Sequence, residues 1–192
     1  MTCWVVVPIK APADCKTRLR PVLGDAARGE LVASMLRRVV GVASACAAVD
    51  RVLLLGPSRH GLGPELPLID DPGGGLNAAL AAALAEAERG EASRLVILAA
   101  DLPRLAASDL QRLAAAPENT AAIAPDRAGA GTNALSLPLP CAHGFQFRYG
   151  PGSFARHKAE AAGLGLAVQE ICSETLGLDI DEPQDLAELS AP

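Results

Sequence analysis

Aromatic side chains are scarce in this chain of 192 residues: only 3% are aromatic, while half are hydrophobic. Alanine, leucine and valine must therefore fill the interior, and such small aliphatic side chains suit helices packed on a sheet. Long apolar runs are also missing, since no stretch approaches the roughly 20 residues that a membrane span needs. The apolar segment near the start has no basic residue before it, unlike a signal peptide. We therefore expect one cytoplasmic domain over residues 1–192 that does not bind membranes.

Cysteine pairs and common nucleotide-binding motifs are missing as well. The five cysteines contain no C-x-x-C pair, which argues against a zinc site or a disulfide framework and fits a reducing compartment. The net charge of −5 disfavours general binding to nucleic acids. The chain has no G-x-x-x-x-G-K-S/T loop, and no G-x-G-x-x-G sequence follows the first predicted strand. The second absence argues against a dinucleotide-dependent dehydrogenase.

Alternating strand and helix patterns predict an α/β fold, namely a three-layer sandwich with a mostly parallel sheet. Asp25 is predicted to cap the first helix, and Ser108 and Gln111 to form a capping box before a later one. Short aliphatic runs predict strands at residues 3–7, 51–55, 66–69, 95–100, 121–124, 134–137 and 166–170. Helical spacing predicts helices at residues 26–48, 76–89, 153–162 and 183–189.

Three consecutive glycines, Gly73, Gly74 and Gly75, precede Asn77 at the start of the predicted helix 76–89. Glycine lets a ligand approach the main chain where a side chain would block it. The free N–H groups at a helix start bind anions such as phosphates. The run therefore predicts a cradle for a nucleotide.

A basic loop after the first predicted strand carries Lys10, Lys16, Arg18 and Arg20. Ligands of open α/β sheets bind at the carboxyl ends of the strands, where these cations can neutralise a triphosphate. A solvated loop without a ligand explains the same residues about as well. The position after an N-terminal strand favours phosphate binding.

Acidic residues stand in two distant places. Asp101 follows the apolar run 95–100 and can hold Mg²⁺ on a nucleotide phosphate, although aspartate is also common in turns. Asp179 and Asp181 face the same side of an extended backbone because they are two residues apart. Two such carboxylates repel each other unless a cation lies between them. Asp181 also precedes Pro183, where it can start a helix, and the two roles are compatible.

Two further glycine-bearing loops can bind a small anion. One contains Thr132, and the other contains Gly150 and leads through Ser153 into the predicted helix 153–162. Each signal alone is weak, because glycine turns are frequent. His157 in that helix is more typical of a surface residue than of a catalyst.

Several short motifs follow one another in a defined order: Pro8-Ile9-Lys10, Lys16-Thr17-Arg18-Leu19, Gly74-Gly75-Leu76-Asn77-Ala78-Ala79-Leu80, Ala100-Asp101-Leu102-Pro103, Ala124-Pro125-Asp126-Arg127, Gly131-Thr132-Asn133-Ala134-Leu135, Gly150-Pro151-Gly152-Ser153-Phe154 and Leu178-Asp179-Ile180-Asp181. This set resembles the 2-phospho-L-lactate guanylyltransferase family of coenzyme F-420 biosynthesis, whose bacterial members include phosphoenolpyruvate guanylyltransferases. The resemblance spans nearly the whole chain and implies the Rossmann-like fold of nucleotide-diphospho-sugar transferases. One departure is Arg37-Arg38 on the first predicted helix, where the resemblance leads us to expect an acidic residue. That position concerns stability or assembly rather than chemistry.

Carried over by position, the resemblance implies four sets of residues. The metal set, which would hold Mg²⁺, comprises Asp101, Asp179 and Asp181. The catalytic set comprises Asp101, Lys16 and Arg18. The set that binds the acid substrate comprises Thr132, Gly150 and Ser153. The nucleotide set comprises Pro8, Lys10, Lys16, Gly74, Gly75 and Asn77.

The implied reaction transfers GMP from GTP to the phosphate of a small phosphorylated carboxylic acid and releases pyrophosphate. The acid would be phosphoenolpyruvate, 2-phospho-L-lactate or 3-phospho-D-glycerate. The alanine, glycine and arginine content is typical of a GC-rich bacterium, and a bacterial source slightly favours phosphoenolpyruvate. Two alternatives stay open: another nucleotidyltransferase of the same fold, such as a molybdenum cofactor guanylyltransferase, and a non-catalytic GTP-binding module. The sequence also leaves open whether the protein is a homodimer.

Overall fold

The structure is a computed structural model that describes residues 2–189. Its strands are β1 Cys3–Pro8, β2 Arg51–Leu55, β3 Leu68–Ile69, β4 Arg94–Leu98, β5 Thr120–Pro125, β6 Thr132–Pro138 and β7 Ala167–Glu170. Its α-helices are α1 Asp25–Ala45, α2 Leu76–Arg89, α3 Ala107–Ala114, α4 Ser153–Gly163, α5 Glu174–Gly177 and α6 Leu186–Leu189. Short 3-10 helices lie at Pro12–Asp14, Thr17–Leu19 and Pro183–Asp185. None of the helices within residues 2–189 combines the length and the apolar character that crossing a bilayer requires.

The seven strands form one sheet in the order β3-β2-β1-β4-β6-β5-β7, with helices on both faces. Because side chains alternate along β1, Cys3, Val5 and Val7 pack on the face covered by α1 and α3. Trp4 and Val6 pack on the opposite face, which α2 and α4 cover. The predicted three-layer α/β sandwich is therefore confirmed.

Strand β6 is antiparallel to both of its neighbours. It pairs antiparallel with β4 and β5, whereas β1 pairs parallel with β2 and β4. The start of β6 consequently lies at the carboxyl end of β4, where Ala134 is opposite Leu98 and the Ala99 N–H donates to the Asn133 carbonyl over 2.9 Å. This reversal brings Thr132 to the carboxyl end of β4, close to the loop that contains Asp101.

The predicted capping box of Ser108 and Gln111 is wrong. Helix α3 begins at Ala107 with Ala106 as its N-cap, so Ser108 already lies inside the first turn. The carboxylate of Asp109 accepts the Ala106 N–H over 3.1 Å. Alanine has no side-chain oxygen to return such a bond, and the helix start therefore carried a weak sequence signal.

Other element boundaries differ from the predictions by a few residues. Helix α1 has Gly24 as its N-cap, so Asp25 is its first residue rather than its cap, and the helix ends at Ala45. The short helix α5 was not predicted, although Ser173 caps it by accepting the N–H groups of Thr175 and Leu176. Strand β4 ends at Leu98, so Asp101 lies in the loop beyond it.

Candidate active site

Three carboxylates from two distant parts of the chain meet at the carboxyl edge of the sheet. Asp101, Asp179 and Asp181 each offer one oxygen, and these atoms all lie within 4.8 Å of one another. Asp101 and Asp179 are partly buried, whereas Asp181 is exposed. The predicted metal set is therefore assembled, and its ligand role stays a prediction.

Alternation along residues 178–181 explains why both aspartates face Asp101. Leu178 and Ile180 are buried in a small apolar cluster with Leu19 and Met35. Since side chains alternate in extended backbone, Asp179 and Asp181 point away from that cluster. Leu19 belongs to the 3-10 helix directly after Lys16, so the same cluster anchors the basic loop beside the carboxylates.

Lys16 supplies positive charge inside this cluster of carboxylates. Its ammonium contacts Asp101 and lies 2.8 Å from an Asp181 carboxylate oxygen, and only 9% of the side chain is exposed. Burial alone would lower the pKa of Lys16, but the two carboxylates outweigh it and raise that pKa. Lys16 has φ +50°, a left-handed conformation that is uncommon for residues other than glycine. The surrounding contacts hold this backbone conformation, which aims the side chain at the aspartates.

The surroundings of Asp179 disfavour the charged form of its carboxyl group. Burial raises its pKa to about 6, and the negative charges of Asp101 and Asp181 add to that effect. The side-chain amide of Asn133 opposes the shift by donating to Asp179 over 3.3 Å, and it also donates to the Leu176 carbonyl over 2.9 Å. Asn133 is itself buried and therefore fixes the direction of the Asp179 side chain.

The donor set fits a hard divalent cation. Mg²⁺ prefers oxygen ligands and is usually held by carboxylates together with substrate phosphates. Lys16 is the cation that contacts these carboxylates, so the three together keep excess negative charge. Burial is the main cause of the raised pKa of Asp179, and the charges of Asp101 and Asp181 add to it. A doubly charged cation would remove that excess, so the residues present are suited to bind one.

The segment after Asp181 is capped by a different carboxylate. Asp185 accepts the N–H groups of Asp181 and Glu182 over 2.9 and 2.7 Å. The Asp181 side chain is thereby left for Lys16. Asp185 caps this segment, and metal binding by Asp181 stays a prediction. Arg18 lies 3.6 Å from Glu182 and is 68% exposed, which leaves its guanidinium accessible at the rim of the site.

The glycine run forms an exposed loop before helix α2. Gly73, Gly74 and Gly75 have φ values of +88°, +83° and +84°, and Gly75 is the N-cap of α2 without a side-chain cap. Three consecutive left-handed residues are accessible only to glycine at low cost. The loop thus presents main-chain atoms to solvent at a helix start, as a nucleotide cradle requires.

Asn77 makes contacts within the protein that the sequence did not indicate. Its amide nitrogen donates to the Tyr149 carbonyl over 3.2 Å, and its amide oxygen accepts the Tyr149 N–H over 2.8 Å. Both ends of the side chain are therefore engaged by one backbone unit. Asn77 ties the glycine loop to the segment that carries Gly150.

The predicted acid-binding residues gather at the start of β6 and the start of α4. The hydroxyl groups of Thr132 and Ser153 lie 3.2 Å apart, and the Thr132 hydroxyl also lies 3.0 Å from Nδ1 of His157. Thr132 and Ser153 are buried, whereas Gly150 is exposed with φ +125°. The structure brings these residues together, and their role in binding stays a prediction.

Pro8 and Lys10 flank the end of β1 at the same sheet edge. Lys10 is exposed, and its carbonyl oxygen accepts a hydrogen bond from Nε2 of His60 over 2.8 Å. The residue after β2, Gly56, approaches this segment closely. A Cβ atom at Gly56 would lie only 2.1 Å from the Ile9 carbonyl oxygen. Contacts of Pro8 and Lys10 with a nucleotide stay predictions.

A family comparison agrees with this geometry. The sequence profile described as guanylyl transferase CofC-like matches residues 3–191. The chain belongs to this family. A phosphoenolpyruvate guanylyltransferase from Sphaerobacter thermophilus is 40% identical and covers 99% of this chain and 93% of its own length. A 2-phospho-L-lactate guanylyltransferase from Methanosarcina barkeri is 35% identical and covers 96% of this chain and 84% of its own length.

Solved structures support the fold of this CofC-like chain. A protein from Desulfovibrio desulfuricans described as a nucleotide-diphospho-sugar transferase superposes with a TM-score of 0.79 at 18% identity, over 98% of this chain and 87% of its own. A 4-diphosphocytidyl-2C-methyl-D-erythritol synthase superposes with a TM-score of 0.67 at 14% identity, over 98% and 96%. At such low identity the likeness concerns the fold alone.

Two residues of the CofC-like site escaped the sequence analysis. Asn133 was named only within a family motif, yet its side-chain amide donates to Asp179. His157 was expected at the surface, but it is fully buried against Thr132. Its position four residues after Ser153 was a usable signal, because residues i and i+4 share one helix face.

Proposed function

We propose that this CofC-like guanylyltransferase transfers GMP from GTP to the phosphate of phosphoenolpyruvate in a Mg²⁺-dependent reaction of coenzyme F-420 biosynthesis. The observation that supports it most is the meeting of Asp101 with Asp179 and Asp181 at the sheet edge. A protein that only bound GTP would need fewer carboxylates near the phosphates, because like charges repel. A metal-dependent transfer gives that cluster a purpose.

The chemistry needs little proton transfer from the protein. A phosphate oxygen of the acid attacks the α-phosphorus of GTP, a new P–O bond forms, and the bond to the β-phosphate oxygen breaks to release pyrophosphate. The second pKa of a phosphate monoester is about 6, so the nucleophile is largely dianionic at neutral pH. Positioning and charge stabilisation therefore account for catalysis.

The three aspartates would hold the metal through their carboxylate oxygens. When bound, Mg²⁺ would supply positive charge that offsets the repulsion between the acid and the triphosphate. Asn133 fixes the direction of Asp179, and the buried side chains of Leu178 and Ile180 fix the backbone that carries both later aspartates. The protein thus orients the aspartate side chains that would bind the metal before any substrate binds.

The basic loop would stabilise the departing pyrophosphate. Arg18 is accessible at the rim of the site and can reach an anion in solvent. Lys16 already balances Asp101 and Asp181 and can share its three ammonium protons with a phosphate oxygen. We assign both residues a charge-stabilising role in the transfer.

The two substrates would occupy neighbouring loops. We assign GTP to the exposed loop of Gly73, Gly74 and Gly75, and the acid to the hydroxyl groups of Thr132 and Ser153 with the nearby Gly150. The two bonds between Asn77 and Tyr149 join these loops directly. This connection supports binding of both substrates at one end of the sheet.

The choice of phosphoenolpyruvate follows the names of relatives. Relatives named phosphoenolpyruvate guanylyltransferase from Sphaerobacter thermophilus and Rubrobacter xylanophilus are 40% and 38% identical to this chain. The relative from Methanosarcina barkeri named for 2-phospho-L-lactate is 35% identical. The margin is small, so the acid is the part of the proposal that most needs a direct test.

A pyrophosphate-release assay tests the proposal. Purified protein is mixed with GTP, Mg²⁺ and either phosphoenolpyruvate, 2-phospho-L-lactate or 3-phospho-D-glycerate, and the guanylylated product is identified by mass spectrometry. We expect pyrophosphate with phosphoenolpyruvate, and little when CTP or UTP replaces GTP or when a chelator removes Mg²⁺. GTP binding without pyrophosphate release from any acid would instead indicate a binding module. A parallel reaction contains a molybdopterin in place of the acid, and pyrophosphate release in that reaction alone would indicate the other nucleotidyltransferase class.

A further inference from the structure

His157 is a histidine buried beside the two hydroxyl groups assigned to the acid substrate. None of its surface is exposed, and the ring of Tyr149 packs against it edge-on at 4.7 Å between centroids. Its two ring nitrogens have different partners. Nε2 lies 2.9 Å from the backbone nitrogen of Arg148, and Nδ1 lies 3.0 Å from the Thr132 hydroxyl.

These partners determine which ring nitrogen carries the proton. The Arg148 backbone N–H can only donate, so Nε2 of His157 must accept and carries no hydrogen. A neutral imidazole then has its hydrogen on Nδ1, which donates to the Thr132 oxygen. Burial favours this neutral form, since it lowers the pKa of His157 to about 4.

The tautomer decides how many hydroxyl protons remain for a ligand. Thr132 and Ser153 have one hydroxyl proton each, and a single proton satisfies the 3.2 Å contact between them. Because His157 donates to Thr132 instead of accepting from it, the second proton is left to bond an anion. The opposite tautomer would use that proton and would also face the Arg148 N–H with a second donor.

We infer that His157 is a positioning residue that keeps one hydroxyl proton of the Thr132–Ser153 pair directed to the anionic groups of the acid substrate. The inference rests on the proposed function, because it assumes that this pair binds the acid. His157 is assigned no direct contact with either substrate, because its two ring nitrogens are engaged by Thr132 and Arg148. Its effect is therefore expected in the KM of the acid rather than in the KM of GTP.

The first arm of the test uses the wild-type protein and needs no substrate. Nitrogen-15 chemical shifts of the His157 ring at pH 7 report which nitrogen is protonated. We expect a protonated Nδ1 and an unprotonated Nε2. A proton on Nε2 would overturn the inference whatever reaction the protein catalyses.

The second arm compares two substitutions of similar size. The amide of His157→Asn can place a donor near the Nδ1 position and keep the bond to Thr132, whereas His157→Gln can place an acceptor near the Nε2 position and keep the bond from Arg148. We expect His157→Gln to raise the KM of phosphoenolpyruvate about tenfold, and His157→Asn to raise it less, with the KM of GTP unchanged in both. Equal KM values for the acid in both variants and wild type would overturn the inference.

A double variant separates positioning from a general loss of structure. In a Thr132→Val background, His157→Gln should add no further increase in the KM of the acid, because the group through which it acts is gone. Additive effects would overturn the inference. His143→Gln, at an exposed histidine paired with Glu88, is the matched control and should behave as wild type. If wild type releases no pyrophosphate with any acid, the proposed function fails, and the nitrogen-15 arm still decides the tautomer.

Discussion

At the scale of single residues, the site is governed by charge balance around Lys16. Burial would raise the pKa of Asp181, yet Lys16 outweighs burial and lowers it. Lys16 itself is held in an uncommon left-handed conformation, which typically costs about 1–3 kcal/mol. The contacts of the Lys16 ammonium with both Asp101 and Asp181 offset this cost. Lys16 is therefore both a neutralising group for the free protein and a cation for the reaction.

Replacing Lys16 by methionine tests the neutralising role. Without the ammonium the carboxylates repel one another, so we expect Lys16→Met to lose roughly 1–3 kcal/mol of unfolding free energy in the presence of a chelator. Mg²⁺ should restore more stability in this variant than in wild type. Urea denaturation with and without Mg²⁺ measures both effects. Lys158→Met, which removes an exposed pair with Glu170, should cost less than about 1 kcal/mol; an equal loss in both variants would contradict the prediction.

Replacing Asp101 by asparagine tests the metal role. The amide keeps the shape of the side chain but loses its charge, so we expect kcat/KM for guanylyl transfer to fall about 100-fold or more while the fold is kept. Pyrophosphate release at saturating Mg²⁺ and circular dichroism measure the two properties. Glu118→Gln, at an exposed position outside the site, should retain wild-type activity. Full activity of Asp101→Asn would remove this residue from the mechanism.

At the scale of elements, the site depends on how loops are fastened to the sheet. The reversal of β6 brings Thr132 and Asn133 to the edge where β4 ends. Helix α5 is fastened in turn through the Ser173 hydroxyl, which donates to Asp109 of α3 over 2.8 Å. Asn77 fastens α2 to the loop that carries Gly150. Each of these contacts joins segments that lie far apart in the sequence.

Replacing Asn77 by alanine tests whether this residue contacts a ligand or connects two loops. Since both ends of its amide bond Tyr149, we expect Asn77→Ala to raise the KM of GTP and the KM of the acid together and to cost about 1–2 kcal/mol of stability. Steady-state kinetics with each substrate varied in turn measures this. An increase confined to the KM of GTP would support the original assignment of Asn77 to the nucleotide. Gln111→Ala, at an exposed position on α3, is the control.

At the scale of the whole molecule, the buried histidine links stability to pH. The pKa of His157 is about 4 in the folded protein against an ordinary value of 6.5. The unfolded chain therefore binds the proton first as the pH falls, so the stability is present above pH 6.5 and decreases towards pH 4.

We expect His157 to account for a loss of roughly 2 kcal/mol between pH 7 and pH 5. Urea denaturation at both pH values measures the loss in wild type and in His157→Gln, which has no titratable group at this position. The variant should lose less stability over that interval than wild type. Equal losses in the two proteins would show that His157 does not titrate as its burial implies.

Local periodicity was enough to predict much of this protein. Alternating and helical spacing predicted the layered α/β fold, and the two-residue spacing of Asp179 and Asp181 predicted that they face one side. The ordered motifs indicated the guanylyltransferase family. Residue spacing and the order of motifs are both read along the chain, so these features can be recognised without coordinates.

Tertiary structure alone decided the features that depend on distant partners. The approach of Asp101 to Asp179 required the packing of Leu178 and Ile180 against Leu19, which the sequence does not display. The burial of His157 and the engagement of Asn77 by Tyr149 likewise depend on segments brought together by folding. A side chain's available donors and acceptors are set by its surroundings in space, and for these residues the surroundings come from elsewhere in the chain.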